Sequence, residues 1–221
     1  IYTLSLHDAL PIWSAKINME LIKPQILCLG DSIIFGYGVS ADEAWINVLA
    51  NMAPEYSFIN EGMCGANTAA IKQRWQYLTT QIQARQLILN GGVNDLLMGL
   101  PATKVLSNTQ MIITEAAEIM DDIILLLPFK ISTNPGLWAW VPAPQCFYIN
   151  EQIDFLVTEL TKIAQRQHIK TVDLNVIFAE EDKHHPQFLN DGIHIQPLLH
   201  KRIAVLIYEQ ILRLKRILNN G

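Results

Sequence analysis

Downstream of Pro24, short apolar runs alternate with longer stretches in which apolar residues return every three or four positions. The short runs read as strands. Residues 25–29 come first, then 56–60, 86–89, 123–127 and 171–174. Asn90-Gly91-Gly92 stops the third run and Pro128 the fourth, since glycine favours turns and proline cannot continue a strand ladder. The longer stretches read as helices. Trp45, Val48 and Leu49 share a face over 42–52, and Ile71, Trp75 and Leu78 share one in a helix that Asn67 or Thr68 can cap. A third helix covers 108–120. Ile153, Leu156, Val157, Leu160 and Ile163 form the buried stripe of 150–167, and the last helix spans 197–218.

Strands separated by helices of this length imply crossover connections and a parallel sheet. The strands are apolar throughout rather than alternating, so both faces of the sheet must be covered. The expected fold is α/β: a three-layer α/β/α sandwich around a parallel five-stranded, flavodoxin-like sheet. In such sheets ligands bind beyond the carboxyl ends of the strands. No internal repeat or linker divides the chain, and residues 19–221 read as one domain. Residues 1–18 are set aside as an artefactual or disordered extension. Residues 3–12 look like the translation of an adapter oligonucleotide, with Met19 as the expected natural start.

Composition narrows the class further. The chain has 221 residues, half of them hydrophobic, enough for a full core. Its net charge is −5 with no basic stripe, which argues against a nucleic-acid partner. The mid-chain run from Ile123 to Phe129 is far shorter than the ~18 residues of a membrane span. Cys28, Cys64 and Cys146 are odd in number and irregularly spaced, neither a disulfide framework nor a metal pattern. Together with the lack of a secretory signal pattern, they favour a reducing, cytoplasmic location.

The chemistry-bearing residues Ser32, Gly65 and Asn94 follow the first, second and third strands, and Asp191 and His194 follow the fifth by a longer loop. Ser32, in Gly30-Asp31-Ser32, follows the first strand, and a serine becomes a nucleophile only beside a base. The motif is not the nucleophile elbow, which needs a glycine where Ile34 stands. Taken alone, it also fits a turn or helix cap. Asp191-Gly192-Ile193-His194 puts a carboxylate three residues before an imidazole, a spacing that lets Asp191 orient His194 as a base. His168 and His200 have no carboxylate three residues before them, and no carboxylate–histidine spacing typical of metal motifs is present around His184 and His185. Gly65 ends Gly62-Met63-Cys64-Gly65 after the second strand, with Gly62 as a competitor. Asn94 lies in Gly91-Gly92-Val93-Asn94-Asp95 after the third. Gly65 also fits a plain turn, and Asn94 a cap.

In chain order Ser32, Gly65, Asn94 and His194 resemble the four blocks of the SGNH, or GDSL-type, hydrolases, a family of serine esterases and lipases. The resemblance spans about 24–218. It implies a catalytic triad of Ser32, Asp191 and His194, and an oxyanion hole from the N–H of Ser32, the N–H of Gly65 and the side-chain amide of Asn94. It implies no metal or organic cofactor and a small acyl ester or thioester as substrate, as in the single-domain bacterial esterase, lysophospholipase and thioesterase group. Carbohydrate O-deacetylases share these residues and are the alternative. The family often has Pro directly after the histidine, where Ile195 stands here, and Ala66-Asn67-Thr68 replaces its common acidic-Thr pair.

Two further segments bear on function. Residues 129–148 form the one long irregular stretch, with Trp138 and Trp140 as an apolar wall or lid over an acyl group or as patches on the core. The last helix mixes apolar positions with Lys201, Arg202, Arg213, Lys215 and Arg216, which reads as a core helix with a solvated basic end rather than a membrane-surface helix. A non-catalytic flavodoxin-like binding module is disfavoured, because Asp31 stands where a phosphate would sit and the P-loop lysine is missing.

Overall fold

The computed structural model describes residues 23–134, 141–179 and 186–219. The 1–18 extension, Trp138, Trp140, His184 and His185 lie outside the described residues. Five strands, β1 (Gln25–Gly30), β2 (Ser57–Gly62), β3 (Gln86–Leu89), β4 (Asp122–Leu127) and β5 (Lys170–Asp173), form one all-parallel sheet in the order β2-β1-β3-β4-β5. The chain leaves β1 toward one edge and returns to β3 on its other side. This reversal opens a crevice at the carboxyl ends of β1 and β3.

Alternate residues of each strand feed two cores. Leu27, Leu29, Leu87, Leu89 and Leu125 pack beneath α3 (Thr68–Leu78), α5 (Ala102–Ile119) and α6 (Ala143–Arg166). Ile26, Cys28, Ile88, Ile124 and Leu126 face α2 (Trp45–Met52), α7 (Val176–Ala179) and α8 (Pro197–Asn219). The sandwich therefore has the three expected layers. In α8, Leu199, Ile203, Ala204, Ile207 and Ile211 are buried in the second core. No helix among the described residues is long and apolar enough to cross a membrane.

The differences from the sequence reading have local causes. α5 begins at Ala102, six residues before the expected start. Its opening turn is polar apart from Ala102 and Val105, which masked the period, yet Val105 is fully buried. α6 begins at Ala143, so the irregular stretch expected over 129–148 is helical from Ala143 onward. Pro144 falls in the first turn, where its missing N–H costs nothing. Three short helices, α1 (Ser32–Phe35), α4 (Val93–Leu97) and α7, are too brief to show a period.

Candidate active site

Ser32 is held by a short, heavily braced turn. A Cβ on Gly30 would lie 2.5 Å from the Asn90 carbonyl oxygen, so only glycine lets β1 end this close to the chain leaving β3. The Asp31 carboxylate accepts the Ile33 N–H at 2.9 Å and caps α1, while Gly36 ends it in the left-handed region at φ 84°. From α2, the Trp45 indole donates to the Ile33 carbonyl at 2.7 Å. Ser32 opens this helix and is 7% exposed.

The loop before α8 delivers the imidazole. An antiparallel bridge joins Phe188 and Ile195, and the Leu189 N–H donates to the His194 carbonyl at 2.7 Å. Inside it, Asp191 Oδ1 accepts the N–H groups of Ile193 and His194, both at 2.9 Å, while Oδ2 meets His194 Nδ1 at 2.5 Å. His194 Nε2 lies 2.8 Å from Ser32 Oγ, across 162 residues of sequence. Burial alone would raise the Asp191 pKa. The ring of His194, the two N–H groups and the His194 charge outweigh it and hold the carboxyl below its ordinary value. An ionised Asp191 only accepts, so Nδ1 carries the ring proton and Nε2 offers its lone pair to the Ser32 hydroxyl.

Gly65 and Asn94 line the same cavity of about 450 Å³ as Ser32 and His194. Gly65 has φ 75° but open space where a Cβ would be, so backbone conformation rather than crowding favours glycine there. Gly62, its competitor, ends β2, and a Cβ on it would lie 2.1 Å from Phe35 N. It is a packing glycine against α1. Asn94 Nδ2 donates one hydrogen to the Ala66 carbonyl at 2.9 Å, and an amide nitrogen has a second to give.

Tyr37, Cys64, Leu97, Met98, Val141 and Ile193 complete the lining, and the sequence reading named none of them as site residues. Tyr37 rests on the His194 ring, with centroids 4.4 Å apart. Its place five residues after Ser32 was the one available signal. Leu97 sits on α4, a helix too short to be read, with Met98 as its cap. His200 is a core residue: burial, then the charge of His194, push its pKa down to about 4, against a smaller upward pull from Glu43. Among the described residues no cluster of three or more His, Cys, Asp or Glu is suited to hold a metal. A larger depression of about 1160 Å³ lies near the ends of β4 and β5. Two of its amides bond to backbone, Asn150 to Ile131 and Asn175 to Lys130 and Pro128, and no histidine is among its described lining residues.

A parallel sandwich with a serine, histidine and carboxylate in hydrogen-bonded sequence at its crevice defines a hydrolase class rather than a nucleotide binder. The chain belongs to the GDSL-like lipase/acylhydrolase family, whose model matches residues 28–202, and it is an ester-hydrolysing enzyme. It is 22% identical to an arylesterase from Vibrio mimicus over 194 residues, 86% of this chain and 88% of that one. Its fold is that of a lipolytic G-D-S-L protein from Veillonella parvula, with TM-score 0.73 at 20% identity, over 84% of this chain and 96% of that one. It is also that of the psychrotrophic esterase EstA from a Pseudoalteromonas species, with TM-score 0.68 at 20% identity, over 88% and 98%.

Proposed function

We propose that the chain is a serine esterase that cleaves carboxylic esters of apolar acyl groups through an acyl-enzyme. Ser32 Oγ attacks the ester carbonyl carbon while His194 Nε2 takes the hydroxyl proton. Asp191 keeps the ring in the right tautomer and stabilises the imidazolium. The N–H groups of Ser32 and Gly65 and the amide of Asn94 receive the charge on the carbonyl oxygen. Collapse breaks the bond to the alcohol, which leaves with the proton from His194. Water then adds to the acyl group by the same route and regenerates Ser32.

The observation that carries this reading is the unbroken chain Asp191–His194–Ser32 at 2.5 and 2.8 Å, opening into one cavity. Leu97, Met98, Val141 and Ile193 supply that cavity's apolar wall, which matches an alkyl or aryl acyl group better than a sugar ring needing several polar partners. Ser32→Ala is expected to abolish hydrolysis of p-nitrophenyl acyl esters, and labelling by a fluorophosphonate, while the fold persists. Wild-type turnover in that variant would sink the reading. Octanoyl esters are expected to outperform acetyl esters and acetylated sugars in kcat/KM, and the reverse order would favour the carbohydrate deacetylase instead.

A further inference from the structure

The loops that carry Gly65 and Asn94 are not neighbours in the sheet. Gly65 follows β2 and Asn94 follows β3, and β1 stands between those strands. No ladder hydrogen bond therefore sets the distance between the two groups, which in the proposed mechanism must meet one oxygen atom together. Oxyanion stabilisation depends on donors already in place when the charge forms, so their separation has to be fixed by something else.

A buried polar cluster spans the gap. Asp95, directly after Asn94, is fully buried, and its carboxylate accepts from Thr68, three residues after Gly65. Oδ2 takes the Thr68 N–H at 2.8 Å and Oδ1 the Thr68 hydroxyl at 2.6 Å. Asn108, from α5, donates Nδ2 to Thr68 Oγ1 at 2.9 Å, which turns the hydroxyl proton toward Asp95. Asn94 Nδ2 adds its bond to the Ala66 carbonyl at 2.9 Å. Burying a carboxylate is costly unless its partners are in place. Here that cost falls at the one point where the two loops must be held in register.

We infer that Asp95 is a positioning residue, which through Thr68 sets the spacing between the Gly65 N–H and the Asn94 amide. The inference rests on the proposed oxyanion role of those two groups and adds a determinant of it. Asp95 reaches no reacting atom. It acts by stapling the start of α3 to α4, and Asn108 holds the staple in one orientation.

The test compares a p-nitrophenyl ester with its thiono analogue, in which sulfur replaces the carbonyl oxygen. Sulfur accepts hydrogen bonds weakly, so its turnover depends less on the donors. Thr68→Val keeps the branched shape and the N–H but removes the hydroxyl, and Asp95→Asn removes the charge. Each is expected to lower kcat on the oxo-ester by on the order of 10²-fold, the usual cost of small misplacements. KM is expected to change little and the thiono-ester rate far less. Thr68→Ser, which restores the hydroxyl, is expected to recover most of the oxo-ester kcat. Should Asp95→Asn fold poorly, the Thr68 pair carries the test alone. Equal losses on both substrates, or no loss on the oxo-ester, would overturn the staple. Asn94→Ala separates the two levels. If it too shows no oxo-selective loss, the oxyanion reading itself fails. If it does and the Thr68 variants do not, only the staple fails.

Discussion

Asp191 belongs to the proposed triad and Asp31 sits beside its serine, yet their environments push them in opposite directions. Burial raises Asp31 to about 6, against the pull of the Ile33 N–H and the His194 charge. Asp191 stays low because the His194 ring and two N–H groups outweigh its desolvation. The signs of linkage follow. Asp191 contributes stability above its unfolded pKa and loses it as pH falls. Asp31, with its folded pKa above the unfolded one, contributes fully only below ~3.9 and loses that contribution as pH rises through about 6. In Asp31→Asn the amide oxygen can still cap α1, so the expected outcome is specific. Between pH 4 and 6.5 the thermal midpoint of the wild type should fall relative to the variant. Parallel midpoint curves would show that Asp31 does not titrate in this window. This shift was not legible in Gly30-Asp31-Ser32, because three adjacent letters do not reveal that the carboxyl is sealed beneath α1.

At the scale of elements, α1 is the weakest piece and the one that carries the nucleophile candidate. Four residues cannot sustain a helix alone, since nucleation costs more than one turn returns. It is held from outside by the Asp31 cap, the Trp45 indole on Ile33, and the Asn60 amide donating to the Phe35 carbonyl at 3.3 Å. Gly62 lets β2 approach it edge-on. In Gly62→Ala the added methyl would meet backbone, not a side chain able to rotate away. The variant is expected to lose about 1–3 kcal/mol of stability, and also turnover, because α1 must shift and Ser32 with it. Denaturant unfolding and ester hydrolysis measured on the same sample check both losses, and a variant unchanged in each would remove Gly62 from this role. The long, periodic elements were readable from sequence, save the first six residues of α5. α1, α4 and α7 were not, and neither was the early start of α6 behind two prolines.

Over the whole molecule, one sheet divides the apolar side chains between two faces while joining them mechanically. Leu87 and Ile88 are adjacent on β3 and fully buried, but one points into each core. If residues 19–221 act as one domain, neither core can melt without releasing the strands that bound the other. Leu87→Ala and Ile88→Ala are each expected to cost about 2–5 kcal/mol, with one transition seen alike by far-UV circular dichroism and tryptophan fluorescence. Two transitions, one for each face, would contradict the single-domain reading.

By itself the sequence determined the strands, the long helices and the order of the chemical blocks. Apolar runs closed by glycine or proline mark parallel strands, Ser32, Gly65 and Asn94 each follow a strand end closely, and Asp191 and His194 are three residues apart in one loop. Those are local signals, carried within a few residues. Tertiary structure alone decided that His194 reaches Ser32 from 162 positions away, that Gly65 and not Gly62 faces the cavity, and that Thr68 meets Asp95 across an intervening strand. Contacts of that kind depend on strand order, loop path and packing depth, which arise only when distant segments share one core.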